Sequence, residues 1–532
     1  MRPINYNFSV SLLLIFLYLS SPKFCHGSTV EGLSPEEMPN IVFIWIDTLR
    51  ADSLGCYGYQ RDTSPNIDQL AKESTLFMNN FTPHTVTLSS FMSIITGLYP
   101  FSHGVLHIAK DILSPKIKTL AEILQMYGFA TSWYGPNDPH LDNKVGFGRG
   151  FDYIDNFDND LAVGRSKVLR AIERNKDQKF FLNFHSYHVH SPYIPSEKYI
   201  YQFTKHKDVG VLESFDAIEK ATVEVIRQGV FNYQKYPYEI LGPELLKEMA
   251  EADLFAHDYK ITAVKIRRYL QRKNLEYKYD EIANKVYESR INPDNKENIA
   301  YLKALYDAGI LEFDTEVIGP VINKLKELDL YDNTMIIICA DHGEEFGEHG
   351  SSGHGMSLYQ EVTWVPLIIK TAGRKEGSKI EELSQTVDIM PTILGLLKIK
   401  PPYHNQGIDF TPLINQTGDF TPRKYVYGQM PYFKAIRTKE WKLHVFHSFL
   451  AIPWLSESVR TTIFGKRELF NTENDPDEQN DRYAKEPKVR DELTTELEQW
   501  GKSLKNYQDT DYSFQPNIDK KTKDKIKKTG YW

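Results

Sequence analysis

Acidic and imidazole side chains follow two apolar runs of this sequence. Asp47 comes directly after the apolar residues 41–46, and Asp341 and His342 come directly after residues 335–340. Carboxylates and an imidazole at the ends of neighbouring strands are a suitable ligand set for a divalent cation. A lone aspartate after a strand is more often a turn or helix-capping residue, but two aspartates with an adjacent histidine favour a shared metal site.

A hydroxyl-rich segment, TLSSFMSIITG at 87–97, predicts a loop that enters a short helix ending at Gly97. A hydroxyl at a helix N-terminus lies near backbone N–H groups, which favour an anion and therefore suit a nucleophile that attacks a charged ester. An ordinary helix cap explains the same residues equally well, because threonine and serine cap helices routinely. The residue types alone leave both interpretations open.

The segments that position these residues alternate between apolar runs and helix-like stretches. The runs at 41–46, 180–184 and 335–340 show no polar alternation, which is typical of strands covered on both faces of a parallel sheet. Helix-like stretches at 66–73 and 318–328 lie between them. We therefore predict an α/β fold with a doubly wound, mostly parallel sheet and helices on both faces. In such sheets the functional site lies beyond the carboxyl ends of the strands, where the polar residues named above occur.

The first residues have the composition of an export signal. Arg2 supplies a positive charge, residues 10–19 are apolar, and small residues precede an expected cleavage after Gly27. A signal peptide over residues 1–27 places the mature chain in the periplasm or outside the cell. The alternative is an uncleaved membrane anchor, for which the apolar run is short. No later run approaches the length of a membrane span, so we expect no stable membrane span after the signal is removed.

The remaining chain is predicted to contain a main domain and a smaller one. The main domain covers residues 38–410 and includes a Lys-, Glu- and Tyr-rich helical insertion at 201–299. Short strand-like segments followed by a helix predict a C-terminal α+β subdomain at 411–515. Residues 516–532 form a lysine-rich tail that we expect to be solvated.

The overall composition limits the class of partner. The formal net charge of -8 over 532 residues does not suggest a nucleic-acid-binding protein. The chain has 3 cysteines, which do not form a disulfide framework. We therefore expect a globular protein that does not bind nucleic acid. The sequence does not indicate an oligomeric state.

Several segments, in order along the chain, resemble the sulfatase family of the alkaline-phosphatase-like superfamily. NIVFIWIDTLRADSLGCYGYQRDTSPNIDQLAKES is similar to the opening of the family's catalytic domain, and TLSSFMSIITGLYPFSHGV is similar to its active-site segment. DNTMIIICADHGEEFGEHGSSGHG and ELFNTENDPDEQND follow in the family's order. The resemblance extends from Pro39 to about Asn480, apart from the insertion.

This resemblance implies an alkaline-phosphatase-like fold and a metal-dependent ester hydrolase. Asp47, Asp341 and His342 would bind one divalent metal cation together with Thr87, which stands at the nucleophile position. The cation would be calcium by resemblance, and His342 leaves manganese or zinc open. A second metal is not expected, because Asp314 is not followed by a histidine four residues later.

Three further histidines fall at positions that the family uses near the substrate. His190, in HVHSPY, matches a histidine beside the substrate, and His103, in SHG, matches a position near the nucleophile. His354, in GHG, stands where many members have a lysine that contacts the ester or its leaving group. Hydrogen bonding within loops is the alternative for each of them. His185 and His188 receive no role.

The active-site segment departs from the usual signature, which is Cys or Ser, any residue, Pro, any residue, Arg. The corresponding residues are Thr87, Leu88, Ser89, Ser90 and Phe91. Threonine cannot be oxidised to the formylglycine aldehyde, so the chain resembles a formylglycine-independent branch. The second of the family's paired N-terminal aspartates is replaced by Thr48, and the expected Lys-Trp-His segment is absent from GPNDPH, which begins at Gly135.

The resemblance therefore implies a hydrolase that acts on sulfuric or phosphoric esters of a small molecule, a glycan or a lipid and uses Thr87 as its nucleophile. A formylglycine hydrate releases sulfate by elimination, and threonine lacks that route, so phosphodiesters or phosphonate esters are favoured. Two alternatives stay open. A phospho-head-group transferase could use the same residues, and an inactive sulfatase-like binding protein would explain the missing arginine and lysine.

Overall fold

The computed structural model describes residues 37–106, 111–136, 145–157, 160–204, 215–232, 240–273 and 295–507, except 402–404, 432 and 447–466, with a few positions between 275 and 286. The predicted export signal at 1–27 and the predicted tail at 516–532 lie outside these residues. Within the described part of the chain, no helix has both the length and the apolar character needed to cross a membrane.

The strands of the described residues belong to one large sheet, a four-stranded sheet and a two-stranded ribbon. In chain order they are β1 (Asn40–Ile46), β2 (Thr75–Phe81), β3 (Ala130–Pro136), β4 (Tyr153–Phe157), β5 (Phe180–Ser186), β6 (Thr334–Cys339), β7 (Glu345–Phe346), β8 (Ser352–Gly353), β9 (Leu367–Lys370), β10 (Ser378–Gln385), β11 (Val426–Gln429), β12 (Phe433–Arg437), β13 (Trp441–Phe446) and β14 (Arg467–Asn471). The large sheet has the order β10-β2-β9-β6-β1-β5-β3-β4. Its neighbouring strands run parallel, except that β9 is antiparallel to both β2 and β6.

The α-helices of the described residues cover this sheet and form the insertion. In chain order they are α1 (Pro65–Ala71), α2 (Thr87–Thr96), α3 (Pro100–His103), α4 (Leu120–Met126), α5 (Leu161–Arg174), α6 (Glu197–Phe203), α7 (Phe215–Asn232), α8 (Pro243–Glu251), α9 (Tyr259–Arg272), α10 (Lys296–Phe313), α11 (Gly319–Glu327), α12 (Gln360–Thr363), α13 (Ile389–Leu396), α14 (Thr411–Ile414) and α15 (Pro487–Ser503).

Both faces of the large sheet are buried, because alternate residues of one strand pack into two separate apolar clusters. Phe43 and Trp45 of β1 pack in one cluster. Val42 and Ile44 of the same strand pack in the other. All seven residues of β1 are buried, which explains why its sequence is apolar without alternation. The predicted α/β fold with a mostly parallel sheet is confirmed.

The C-terminal part forms a smaller sheet that packs against one helix. β11, β12, β13 and β14 pair antiparallel in chain order. Leu493, Leu497 and Trp500 of α15 share an apolar cluster with Ile436 and Leu443 of this sheet. The expected α+β character of the C-terminal part therefore agrees with the structure, while the boundary at 411 stays a prediction.

The insertion has an apolar cluster of its own. The cluster combines side chains of α7, α8 and α9, among them Ile226, Leu246, Met249, Ile266 and Leu270. Its helices agree with the helical character predicted for this region. The boundaries 201–299 stay a prediction.

Candidate active site

Strand pairing brings the three predicted metal ligands together. β1 and β6 are parallel neighbours, with Trp45 paired to Cys339, so that the residues after both strands emerge at the same edge of the sheet. Asp47, Asp341 and His342 each offer one ligand atom, and these atoms all lie within 4.8 Å of one another. All three side chains are fully buried.

The donor set fits a divalent cation. Asp341 Oδ2 lies 3.3 Å from His342 Nε2 but accepts no hydrogen bond from the described residues. His342 Nδ1 lies 3.0 Å from the Gly343 carbonyl oxygen, so the Nδ1–H donates there and Nε2 carries the lone pair that a metal requires. Two buried carboxylates beside a neutral imidazole need a positive counter-charge. Oxygen and nitrogen donors together do not distinguish calcium, manganese and zinc.

Thr87 is the first residue of α2, and its hydroxyl reaches this group. Its Oγ1 lies 3.3 Å from His342 Nε2, and the side chain is almost fully buried. Val86 is the residue that caps the helix, and it makes no side-chain capping hydrogen bond. Thr87 is therefore not the helix cap, which was the alternative interpretation of the sequence.

The two neighbouring serines are engaged elsewhere. Ser89 Oγ donates to the Val105 carbonyl oxygen at 2.6 Å. Ser90 Oγ donates to the Asp341 carbonyl oxygen at 2.6 Å, which ties α2 to the loop that carries the predicted metal ligands Asp341 and His342. Their hydroxyls thus stabilise the position of α2.

His354 and His190 lie beside Asp47, Asp341 and His342, which are called the metal group below. The ring of His354 is 4.2 Å from that of His342, and the ring of His190 is 4.9 Å from that of His354, measured between centroids. Burial lowers the pKa of His354 to about 4, and burial followed by the neighbouring His354 lowers the pKa of His190 to about 4. Both imidazoles are therefore neutral near pH 7 in the protein by itself.

Glu344 is a site residue that the sequence analysis did not identify. Its Oε1 lies 2.7 Å from His354 Nδ1, and its Oε2 accepts a hydrogen bond from the Tyr193 hydroxyl at 2.9 Å. The carboxylate thereby fixes the Nδ1–H tautomer of His354. The signal that could have found it is an acidic residue two positions after the ligand His342.

His185 is a second residue at the site to which the sequence analysis gave no role. Its Nε2 lies 3.2 Å from Asp47 Oδ2, and both side chains are fully buried. The signal in the sequence was the position of His185 directly after the apolar run at 180–184, at the end of β5. The other histidine that received no role, His188, contacts Glu312, which lies outside the metal group.

His103 packs against α2, the helix that begins with Thr87. The His103 Nε2 lies 3.1 Å from Ser93 Oγ, and Nδ1 accepts a hydrogen bond from the Val105 backbone N–H at 3.1 Å. Burial lowers its pKa to about 3. Both ring nitrogens thus contact α2 and the loop after α3, and the expected role of His103 near the nucleophile stays a prediction.

The residues that depart from the family signature have structural contacts. Thr48 has a positive φ of 57°, donates through Oγ1 to the Val189 carbonyl oxygen, and donates through its backbone N–H to Asp341 Oδ1. Phe91 stacks on Trp45, with 4.3 Å between ring centroids. Neither position supplies a charge to the site.

Asp314 and one further acidic group have hydrogen-bonding contacts within the protein. The Asp314 carboxylate accepts hydrogen bonds from the backbone N–H groups of Asn66 and Ile67, so it caps α1. Among the described residues, the only other group with ligand atoms as close as those of the metal group is Glu345, His349 and Glu361. There His349 Nδ1 lies 2.6 Å from Glu361 Oε1, which is the distance of a charge-assisted hydrogen bond.

Comparison with known proteins gives the family of this chain. The family model for sulfatases matches residues 39–399, and the model for the C-terminal region of N-sulphoglucosamine sulphohydrolase matches residues 347–504. An N-acetylglucosamine-6-O-sulfatase from Bacteroides thetaiotaomicron is 24% identical over 89% of this chain and 87% of its own length. An ulvan-active sulfatase from Formosa agariphila is 25% identical over 94% of this chain and 89% of its own length.

Solved structures share the fold. One, in complex with its substrate D-glucosamine-2-N,6-O-disulfate, has a TM-score of 0.62 and 22% identity and covers 87% of this chain and 98% of that one. A phosphonate monoester hydrolase from Agrobacterium radiobacter has a TM-score of 0.60 and 18% identity, covering 88% of this chain and 96% of that one. The sulfatase model spans more than half of the chain, and the curated relatives are ester hydrolases by name. The chain is therefore an ester hydrolase that belongs to the sulfatase family.

Proposed function

We propose that this chain hydrolyses phosphorus esters, with Thr87 as the nucleophile and one divalent cation at Asp47, Asp341 and His342. The observation that carries the proposal is the position of Thr87 Oγ1, 3.3 Å from His342 Nε2, at the first turn of a buried helix. A nucleophilic hydroxyl needs both a way to lose its proton and a partner for the charge that develops on the ester. At this position, the residues around Thr87 and a cation bound to the metal group would supply both.

The bound cation would lower the pKa of a coordinated hydroxyl and offset the negative charge of the ester oxygens. The protein supplies the rest of the electrostatic setting. The N-terminal backbone N–H groups of α2 favour an anion at the same place. Thr87 Oγ1 forms a bond to phosphorus, the bond from phosphorus to the leaving oxygen breaks, and a phosphothreonine remains for water to cleave.

His354 is the proposed proton carrier. Neutral His354 has its Nδ1–H directed to Glu344, so Nε2 is the nitrogen that accepts a proton. It takes up the proton that Thr87 loses and returns it to the leaving alcohol, which leaves His354 neutral at the end of the step. The Glu344 carboxylate stabilises the intermediate imidazolium. His190, whose ring lies next to that of His354, is the second candidate for this role.

The preference for phosphorus follows from the identity of the nucleophile. Threonine gives no aldehyde hydrate, so release of a sulfated enzyme requires attack at sulfur, whereas a phosphothreonine can be cleaved by in-line water. Phe91 brings no positive charge to the site, which suits a singly charged phosphodiester or phosphonate monoester. Sulfate esters of glycans are the second candidate substrates, because the curated relatives are named as sulfatases.

Replacing Thr87 by valine should abolish turnover, because valine keeps the shape of the side chain and removes the hydroxyl. We expect kcat to fall by about a thousandfold or more, with an unchanged circular dichroism spectrum. Thr87→Ser should keep measurable activity. The matched control is Ser89→Ala, whose hydroxyl bonds to the Val105 carbonyl oxygen. Turnover by Thr87→Val close to that of the unaltered protein would show that the nucleophile lies elsewhere.

Replacing Asp341 by alanine should remove the bound cation. Elemental analysis of the purified protein is expected to give one equivalent of a divalent metal, and much less in Asp341→Ala. Asp314→Asn is the control, since Asp314 is also a buried aspartate but caps α1. Equal metal content in the unaltered protein and Asp341→Ala would rule out the site.

Replacing Glu344 by glutamine should slow the chemical step, because the amide can no longer stabilise an imidazolium on His354. We expect kcat to fall about 100-fold or more while KM changes little. Glu345→Gln is the matched control, as Glu345 is the adjacent buried acid and accepts a hydrogen bond from Ser357. Wild-type kcat in Glu344→Gln would exclude the proton-carrying role of the pair.

The substrate preference is tested with matched aryl esters that share one leaving group. We expect a higher kcat/KM for the phosphodiester and the phosphonate monoester than for the sulfate ester. The Thr87→Val protein serves as the background control for each substrate. A higher kcat/KM for the aryl sulfate would refute the preference and leave Thr87 as the nucleophile of a sulfatase.

A further inference from the structure

We infer that His185 is a positioning residue of the metal site, which donates a hydrogen bond to Asp47 and holds that carboxylate in the orientation that binds the cation. This role rests on the proposed metal site. The donor is the Nε2–H of His185 and the acceptor is Asp47 Oδ2, 3.2 Å away. A carboxylate only accepts hydrogen bonds, so Nε2 of His185 carries a proton in this contact.

The backbone leaves little freedom in this contact. β1 and β5 pair in parallel with Trp45 opposite His185. The backbone N–H of Asp47 donates to the Ser186 carbonyl oxygen at 3.2 Å, which extends the pairing past the end of β1. The two side chains therefore start from adjacent, hydrogen-bonded strands, and both are fully buried.

Aromatic side chains hold the imidazole ring. Phe91 and Tyr187 each lie edge-on to it, with ring centroids 4.8 Å away. Trp133 lies at 5.7 Å. Closely packed rings resist rotation of the side chain they enclose. The packing of Phe91, which brings no charge to the site, thus has a purpose: it keeps the His185 N–H aimed at Asp47.

His185 acts through Asp47 and not as a ligand itself. In the described part of the chain, the group of potential ligands that contains Asp47 consists of Asp47, Asp341 and His342, without His185. Hydrogen-bond partners of metal ligands fix the ligand's orientation, and their loss costs about 10–100-fold in metal affinity or activity.

The hydrogen bond from His185 is important for metal binding because Asp47 is the only carboxylate directly after β1. The next residue, Thr48, donates its hydroxyl to the Val189 carbonyl oxygen. It therefore offers no second carboxylate that could compensate for a misplaced Asp47. A contact that orients Asp47, such as the one from His185, therefore has a direct effect on the site.

Two substitutions of His185 separate the hydrogen bond from the packing. The amide nitrogen of a glutamine corresponds to Nε2 of histidine, whereas that of an asparagine corresponds to Nδ1 and falls short of Asp47. The metal-stripped proteins are titrated with Ca²⁺ and with Mn²⁺ by calorimetry. We expect His185→Asn to bind about 10–100-fold more weakly than the unaltered protein, and His185→Gln to recover part of that loss.

The control is His188→Gln. His188 lies on the same segment and also contacts a carboxylate, that of Glu312 at 3.1 Å, but this acid is outside the metal group. We expect its metal affinity to equal that of the unaltered protein. The unfolding temperature of each metal-free variant is measured in parallel, so that a general loss of stability is recognised as such.

The outcomes distinguish this inference from the proposed function. Wild-type metal affinity in His185→Asn, or equal loss in His185→Asn and His185→Gln, overturns the role of His185 while the metal site stands. A double variant with His185→Asn and Asp47→Asn that binds metal more weakly than Asp47→Asn alone also overturns the role, since the role requires the Asp47 carboxylate. If the unaltered protein binds no cation, or if Asp341→Ala binds it equally well, the proposed metal site is wrong. The role of His185 is then wrong as well.

Discussion

The parallel pairing of β1 with β5 on one side and β6 on the other is the contact on which the site depends. These strands are apolar along their length and gain stability by burial on both faces. The charged residues at their ends are drawn into the interior by the same packing. Asp47 and Asp341 thus lie together where water is excluded, which is unfavourable for two carboxylates unless a cation joins them. The fold thereby creates an electrostatic demand that a divalent cation would satisfy.

Helix α2 contacts this group through its first turn and through Ser90. Ser90 and Ser89 bind backbone carbonyl oxygens, and Ser93 contacts His103, so three hydroxyls along the helix are used to fix its position. Thr87, in the first turn, is the one that reaches His342. The hydroxyl-rich sequence of this segment therefore combines one candidate for chemistry with several anchors. The same helix carries Phe91, which packs on the ring that contacts Asp47.

The sequence predicted the residues at strand ends better than the contacts between strands. Asp47, Asp341 and His342 were identified because each directly follows a buried run, and a parallel sheet collects such positions at one edge. Glu344 and His185 received no role because what singles out each of them is a contact with a residue elsewhere in the chain, His354 and Asp47 respectively, and such a contact is not visible in a linear pattern. The reversed direction of β9 was not predicted either, since a short apolar run carries no information about its direction.

His103 shows a second limit of prediction from the sequence, which concerns the orientation of a side chain. The resemblance gave its place along the chain, near the nucleophile, but not the orientation of its ring. That orientation is set by a neutral imidazole satisfying both nitrogens, one with Ser93 and one with the Val105 N–H. The fold class and the metal group followed from burial patterns, whereas side-chain orientation followed from hydrogen bonds that only the packed structure reveals.

The alternation of β1 between two apolar layers has a consequence for how this site tolerates change. Phe43 and Trp45 face one layer, and Val42 and Ile44 face the other. Insertion or deletion of one residue in the strand would exchange the two faces, so that every apolar side chain met the wrong layer and Asp47 left its place beside His185. Replacement of a side chain at 48 or 91 alters no spacing. Chemical change at this centre can therefore accumulate by substitution at fixed positions, while the length of β1 is held constant by the core beneath it.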